Sequence, residues 1–499
     1  MPLIMASVFF MIKFKNVTYK YPDAPANILN NINLTITQGE SLAIMGGNGS
    51  GKSTFVKLIA KLINPIEGSI EINTADSTII PVGFLFQNPD NQFVAVTVEK
   101  EIAFTLENIG TPVEKIASRI DEILEEFSIK HLKNRLLSEL SGGEKQKVAI
   151  ASVMIHTPPI LILDEPDSYL DLYGQKNLDD ILCKLREKHT AMILLRVTQY
   201  PHEAKKYPRL LVIDDGQIIA DDKPENIFND NQIVKNSNLS YENKNQVSFS
   251  KINLISKNDN SIKQINLNNV SFGYENRMLF KNINLSLKQG EITIVTGISG
   301  SGKTSLSNLI CGLTKPNNGK IEYLDSKNQL VNIENIRDKV TGVFQQPEKQ
   351  FFLPTCLEEI KFGPNNLGQK IDSEYIKSVF DFVGLTNDNF LDRDPISLSV
   401  GEKRRLAIAL SLVMQPNFIV FDEPTCALDP AGVCWFINLA LELKKHDKSL
   451  IIITHSGLLV KSLTDQLLLF ENENIKNIEI TDNFFENHEL GEKLINDFD

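Results

Sequence analysis

Two kinds of hydrophobic spacing alternate along the chain. Near-continuous apolar runs recur as SLAIMG (41–46), PILILDEP (159–166) and AMILLRVT (191–198), and again as ITIVTG (292–297), NFIVFDEP (417–424) and SLIIITH (449–455). Runs of this kind, bounded by turn residues, predict strands buried on both faces of a parallel sheet. Between them the spacing widens to that of amphipathic helices, as in KSTFVKLIAKLI from Lys52 and KTSLSNLICGL from Lys303. Strand followed by helix, repeated, predicts an α/β core.

The pattern occurs twice. Tyr21 and Tyr274 are 253 positions apart, Lys52 and Lys303 are 251 apart, and Gln87/Gln345, Ser141/Ser399 and Asp164/Asp422 are each 258 apart. An offset this long and this steady means two copies of one domain rather than a solenoid. The first copy is expected over 11–228 and the second over 262–480. The Asn-, Lys- and Ser-rich stretch 229–261 reads as a tether. Residues 481–499, with NFFENHELGEKLINDF, form a tail that reads equally as an amphipathic docking element or a frayed end. The opening MPLIMASVFFMIKF is apolar without a basic leader, so an extension running into a strand at Met11 is expected rather than a signal peptide.

Composition narrows the classes. The 499 residues are 42% hydrophobic and 23% charged, ordinary globular values that argue against disorder over most of the length. A formal charge of -12 disfavours sequence-neutral nucleic-acid binding, which runs on lysine and arginine; no nucleic-acid partner is expected. Five cysteines without a CxxC pair fit a reducing compartment better than a disulfide framework or zinc site. No apolar run reaches the length of a membrane helix, so any membrane role needs a partner.

The candidate chemistry sits at the ends of the apolar runs. Gly46, Asn48, Gly49, Ser50, Gly51, Lys52, Ser53 and Thr54 follow one strand and open a helix. Gly297, Ser299, Gly300, Ser301, Gly302, Lys303, Thr304 and Ser305 repeat the arrangement. Backbone amides of such a loop converge on phosphate oxygens, the lysine reaches the β and γ phosphates, and the hydroxyl of Ser53 or Thr304 suits Mg2+. An acidic pair ends another buried strand in each copy. Asp164 and Asp422 suit the metal, while Glu165 and Glu423 suit polarising the attacking water. The third element is LSGGEKQ, with Ser141, Gly142, Gly143 and Glu144, and its copy LSVGEKR, with Ser399, Val400, Gly401 and Glu402.

Together these motifs resemble the ATP-binding cassette (ABC) ATPases over nearly all of both halves. The resemblance implies two tandem P-loop domains, each a mainly parallel core sheet with helices, an antiparallel β subdomain and a helical signature subdomain. It implies ATP as substrate, Mg2+ as cofactor, and an intramolecular head-to-tail pair in which each ATP lies between one P-loop and the opposite signature. Tyr21 and Tyr274 match the aromatic that stacks on adenine. Gln87 and Gln345 match the glutamine that reaches the metal and senses the membrane partner. SYLD ending at Asp171 and CALD ending at Asp429 match the loop that links the sites. His455 matches the histidine that contacts the γ phosphate; the first copy has Gln199 there, and its signature partner would be the copy carrying Val400. Valine adds a Cβ and disfavours positive φ. The site of Lys52 is therefore expected to bind ATP and turn over slowly.

The segments QNPDNQF (87–93) and QQPEKQF (345–351) resemble the ATPases of energy-coupling factor (ECF) transporters, prokaryotic importers of vitamins and some transition metal ions. That likeness implies two fused ATPase subunits on the cytoplasmic face of the cell membrane. Their partners would be an integral membrane coupling subunit and a substrate-binding membrane subunit. Asp90 and Glu348 would pair with basic groups of the docked partner. Two alternatives stay open: a soluble twin-cassette ATPase acting on ribosomes or nucleic acid, and the fused ATPase of a sugar importer.

Overall fold

The computed structural model describes residues 10–478 apart from 23, 25, 75–79, 169, 171, 238, 242–248, 251, 253–260, 275–276, 299, 387–389 and 472. The opening extension, Ser299, Asp171, the tail and much of the tether lie outside the described residues. The chain divides into two compact units, residues 1–243 with 429–431, and the remainder. The division falls inside the predicted tether.

In the first unit β1 (Phe10–Tyr19), β2 (Leu29–Thr37) and β4 (Glu67–Thr74) form an antiparallel sheet in the order β2-β1-β4. Phe10, Ile12 and Phe14 of β1 are buried and Lys13 between them is exposed, the two-residue period of a half-covered strand. A second, six-stranded sheet runs β5 (Val82–Leu85), β6 (Ile160–Asp164), β7 (Ile193–Val197), β3 (Ser41–Met45), β8 (Arg209–Asp214) and β9 (Gln217–Asp222). Its first five strands are parallel and β9 is antiparallel.

The helices are α1 (Lys52–Ile59), α2 (Val98–Asn108), α3 (Val113–Glu126), α4 (Gly142–Met154), α5 (Leu172–Lys188), α6 (Pro201–Ala204), α7 (Pro224–Asn229) and α8 (Asn231–Asn236). α8 lies among residues read from sequence as tether; Asp230 caps it by accepting from Gln232 N and Ile233 N. That Asp followed by a short apolar pair is an N-cap signal inside an otherwise polar stretch.

All five residues of β6 are buried. Ile160 and Ile162 pack with β1, β2 and α1, while Leu161 and Leu163 pack with α2, α4 and α5 on the opposite face. The sheet is thus covered on both sides, which is why its strands lack polar alternation. Phe14 of β1 stacks on Phe55 of α1 at 4.8 Å and joins the antiparallel sheet to the helix that follows the glycine loop.

The second unit repeats the plan. β10 (Ile262–Tyr274), β11 (Arg277–Lys288) and β13 (Asn318–Asp325) form its antiparallel sheet. Its core sheet runs β14 (Val340–Val343), β15 (Phe418–Asp422), β16 (Ser449–Ile453), β12 (Ile292–Gly297), β17 (Gln466–Glu471) and antiparallel β18 (Asn474–Ile478). Its helices are α9 (Lys303–Ile310), α10 (Cys356–Asn366), α11 (Ser373–Phe382), α12 (Val400–Leu412), α13 (Pro430–Lys445) and α14 (Gly457–Leu463). In each unit the glycine loop and the acidic pair leave the carboxyl ends of central parallel strands, where α/β sheets place their ligands.

Candidate active sites

In the first unit the loop after β3 turns sharply into α1. Gly46 has φ 153°, and a Cβ there would lie 2.0 Å from Ile213 O, so a side chain is excluded by contact. Gly297 repeats the constraint against Phe470 O at 2.6 Å. The two lysines fold back on their loops. Lys52 Nζ donates to Gly46 O at 2.9 Å and Gly47 O at 2.8 Å. Lys303 Nζ donates to Gly297 O and Ile298 O, both at 2.8 Å. Burial pushes the Lys52 ammonium down from its usual range, against the pull of Glu165 and Asp164. A cation held this way by neutral carbonyls is poised to exchange them for phosphate oxygens.

Beside each lysine stands an oxygen pair. Ser53 Oγ donates to Asp164 Oδ1 at 3.0 Å, and Thr304 Oγ1 donates to Asp422 Oδ2 at 2.7 Å. Burial raises both aspartates. Hydroxyl and carboxylate oxygens are the hard donors Mg2+ takes, and a cation would offset the desolvation of the carboxylates. The residues therefore fit the metal. Among the described residues no cluster of three or more His, Cys, Asp or Glu forms a ready cage, so the remaining positions would fall to substrate and water.

Glu165 and Glu423 sit in the left-handed backbone region, with φ 46° and 47°. Each is pinned by its amide: Glu165 N donates to Val197 O and Glu423 N to Ile453 O. A non-glycine residue held there by its surroundings is a strained position of the kind found at functional turns. Burial raises Glu165 to about 7, and burial together with Asp422 raises Glu423.

The two glutamates differ in what holds them. Glu165 Oε1 accepts from Gln199 Nε2 at 2.6 Å, and Oε2 accepts from Gln87 Nε2 at 2.7 Å. Gln199 also donates to Asn48 Oδ1 at 3.0 Å, so it touches both the glutamate and the glycine loop. In the second unit His455 Nε2 stands 3.4 Å from Glu423 Oε1, an oxygen that is buried without a hydrogen bond. Gln345 follows β14 as Gln87 follows β5.

Tyr21 reaches the same loop, its hydroxyl 3.3 Å from Thr54 Oγ1. Tyr274 does so through Ser305 Oγ at 3.4 Å, with its ring 61% exposed and open to a stacking partner.

The signatures open helices. Ser141 caps α4 and Ser399 caps α12, each in a reciprocal box with Glu144 or Glu402. Ser141 N and Oγ both donate to Glu144 Oε2, at 2.8 and 2.9 Å. These bonds outweigh desolvation and hold Glu144 below the ordinary carboxylate range. The sequence led to the expectation that Val400 would meet a backbone position favouring positive φ. Neither Gly142 nor Val400 has a positive φ; both occupy the first helical position. The valine sits at a negative φ, and what it adds at that position is a half-exposed side chain.

Asp90, expected to face a partner's cation, is half exposed and pairs with Lys145 of α4 at 2.7 Å within its own unit. Gln92 belongs to the same bracing: its Oε1 accepts from Phe86 N, and its amide reaches Ala149 O. The buried carboxylate of Glu101 accepts from Val94 N at 3.0 Å and Ala95 N at 2.8 Å. Glu359 does the same for Phe352 N and Leu353 N. Sequence reasoning passed over both; the signal was an acid followed by an isoleucine four residues after the threonine that opens the helix in each copy, TVEKEIAF and TCLEEIKF.

A family model described as ABC transporter matches residues 29–168 and 280–426, which are the glycine loops, glutamine segments, signatures and acidic strands just described. The chain belongs to the ABC transporter family. It is a tandem ABC ATPase, and ATP hydrolysis is the family activity. A protein of Methanosarcina mazei named "Putative ABC transporter ATP-binding protein" is 29% identical over 92% of this chain and 87% of its own length. "Putative HMP/thiamine import ATP-binding protein YkoD" of Bacillus subtilis is 28% identical over 93% and 90%. Among solved structures, a chain of a ribosome-bound archaeal Pelota and ABCE1 complex overlays with a TM-score of 0.67 at 20% identity, covering 94% of this chain and 80% of that one. At that identity the likeness shows the fold alone. No helix among the described residues is long and apolar enough to cross a membrane.

Proposed function

We propose that this tandem ABC ATPase is the fused energy-coupling subunit of an ECF-type importer for vitamins or transition metal ions, acting on separate integral membrane subunits from the cytoplasmic face. The carrying observation is the segment after β5 and its copy after β14. In the first unit Gln87 binds Glu165 at one end, while Gln92 and Asp90 bind α4 at the other. A partner pressing on this segment would act on the water-activating carboxylate and the signature helix together. Exposed apolar side chains line the same stretch: Val94 and Val96 in the first unit, and Phe352 in the second, packed edge-on against Phe362 at 4.7 Å. The import role in the name of the Bacillus relative supports this reading.

In this reading ATP is shared between one glycine loop and the other half's signature. Lys52 and Lys303 would bind the β and γ phosphates, and Tyr21 and Tyr274 the adenine. Ser53, Asp164 and Gln87, with Thr304, Asp422 and Gln345, would hold Mg2+, which neutralises charge on the phosphates when bound. Glu423 would orient and deprotonate the attacking water, with His455 donating toward the γ phosphate. Closure driven by ATP works only through its tighter binding to the closed state.

Purification of the tagged chain from native membranes tests the proposal. Integral coupling and substrate-binding subunits are expected in stoichiometric amounts. Recovery with ribosomes in an ATP-dependent manner, and without membrane subunits, would overturn it.

A further inference from the structure

An arginine is buried in the middle of an apolar strand. Arg196 of β7 is 1% exposed, and the pleat puts it on the same face as Leu194, under α5 and α6. Its Nη1 meets Glu203 Oε2 at 2.9 Å and Asp179 Oδ1 at 3.0 Å, and its Nη2 lies 3.4 Å from Asp167 Oδ1. Lys206 joins the cluster, 2.5 Å from Asp179 and 2.8 Å from Glu203, and His202 Nε2 stands 3.3 Å from Glu203. Asp167 and Glu203 are as buried as the arginine.

The carboxylates belong to two functional turns. Asp167 lies two residues beyond Glu165, on the strained turn that leaves β6. Glu203 lies four residues beyond Gln199, on the helix that follows β7. One guanidinium therefore joins the two segments whose facing side chains, Glu165 and Gln199, meet at 2.6 Å.

The second copy shows that the fold does not need these charges. Aligned on the acidic pair and the strand ends, Arg196, Asp167, Asp179 and Glu203 correspond to Ile452, Thr425, Ile437 and Leu459. Ile452 and Leu459 are fully buried. Apolar packing fills the same place there, as it commonly can in place of a buried ion network. In that copy Glu423 Oε1 has no hydrogen bond. The buried network and a glutamate with side-chain amides on both oxygens occur together in the first copy.

We propose that Arg196 is a positioning residue of the first site: through Asp167 and Glu203 it keeps Gln199 locked on Glu165 and so slows hydrolysis there. With both oxygens of Glu165 accepting from amides, and Oε2 also from Ser168 Oγ, an incoming water competes with these donors for the lone pair that takes its proton. The network favours the donors in that competition by fixing both turns. This rests on Glu165 being the group that activates water.

The test uses the full-length chain carrying E423Q, so that phosphate release reports the first site. Into it go R196I, D167T and E203L together, the residues of the second copy, leaving none of those three charges alone. A rise in kcat of about fivefold is expected, the worth of one hydrogen bond, with KM for ATP unchanged. In a Q199A background the same triple change is expected to leave kcat unaltered, because the clamp is already gone. Equal changes with and without Gln199, or an unchanged rate in a folded triple variant, would overturn the proposal. Should the triple variant not fold, R196K decides. It keeps the charge but loses the breadth by which one guanidinium reaches Asp167 and Glu203 at once, and a rise that depends on Gln199 supports the proposal while no rise refutes it. E165Q added to E423Q is the separate control: if activity does not fall further, the assignment of Glu165 fails, whatever Arg196 does.

Discussion

Gln199 holds Glu165 by a 2.6 Å hydrogen bond, whereas His455 stands 3.4 Å from an oxygen of Glu423 that has no hydrogen-bond partner. A neutral amide satisfies a carboxylate without changing charge. An imidazole can carry a proton and give it up. The two halves thus share a fold and differ in what faces the glutamate proposed to activate water: a side-chain amide bonded to Glu165, an imidazole standing off Oε1 of Glu423.

Unequal losses follow from this difference. Glu423→Gln is expected to lower steady-state ATP hydrolysis by the full chain at least about tenfold, and Glu165→Gln by less than about twofold. Phosphate release by the two variants at saturating ATP checks it. Equal losses would remove the distinction between the sites.

Nucleotide binding should divide cleanly between the halves. Lys52 and Lys303 each donate to two carbonyls of their own glycine loop, where the proposed phosphates would lie, and alanine removes the cation without filling its place. Either K52A or K303A is expected to reduce bound ATP analogue from two to one per chain, with little effect on melting. Equilibrium titration with a non-cleavable analogue measures this, and two full sites in either variant would contradict the phosphate assignment.

Much of this was legible in the sequence because local chemistry demanded it. Gly46 and Gly297 leave no room for a side chain, the apolar runs ending in Asp164 and Asp422 have no stable place except a covered sheet, and Ser141 and Ser399 read directly as helix caps. The rest depended on distance in space. Arg196 looked like one polar letter in the run AMILLRVT; its meaning lies in Asp167 and Glu203, which are brought to it by the crossover of α5 and the start of α6. Comparing the copies position by position, Ile452 against Arg196, would have exposed it. Asp90 misled for the same reason, since Lys145 lies 55 residues away.

Coupling to the proposed membrane partner should depend on Glu101 and Glu359. Their carboxylates hold the backbone of the exposed stretches at Val94–Ala95 and Phe352–Leu353. Alanine at either position leaves two amides without their acceptor, a local cost of about 1–3 kcal/mol. E101A and E359A are expected to retain ATP hydrolysis by the isolated chain and to lose co-purification with integral subunits. Retained assembly with normal transport would show that this stretch is not the docking segment.

Lys448 gives a stability prediction with a definite sign. It is 2% exposed at the entry to β16, and burial pushes its ammonium down to about 8, with Asp447 opposing only in part. The folded pKa lies below the unfolded value of 10.5, so between these limits the unfolded chain binds more protons, and stability rises with pH across that window. Below about 8 the penalty is fully present, at most about 3 kcal/mol. Lys448→Met removes the charge while keeping the length of the side chain. It is expected to stabilise the second unit at pH 7, with the advantage over the natural residue shrinking as pH rises toward 10. The single tryptophan, Trp435, is buried in that unit, so its fluorescence during urea unfolding at the two pH values reads the difference directly. An advantage that stays constant with pH would mean that the lysine is destabilising through packing and not through its charge.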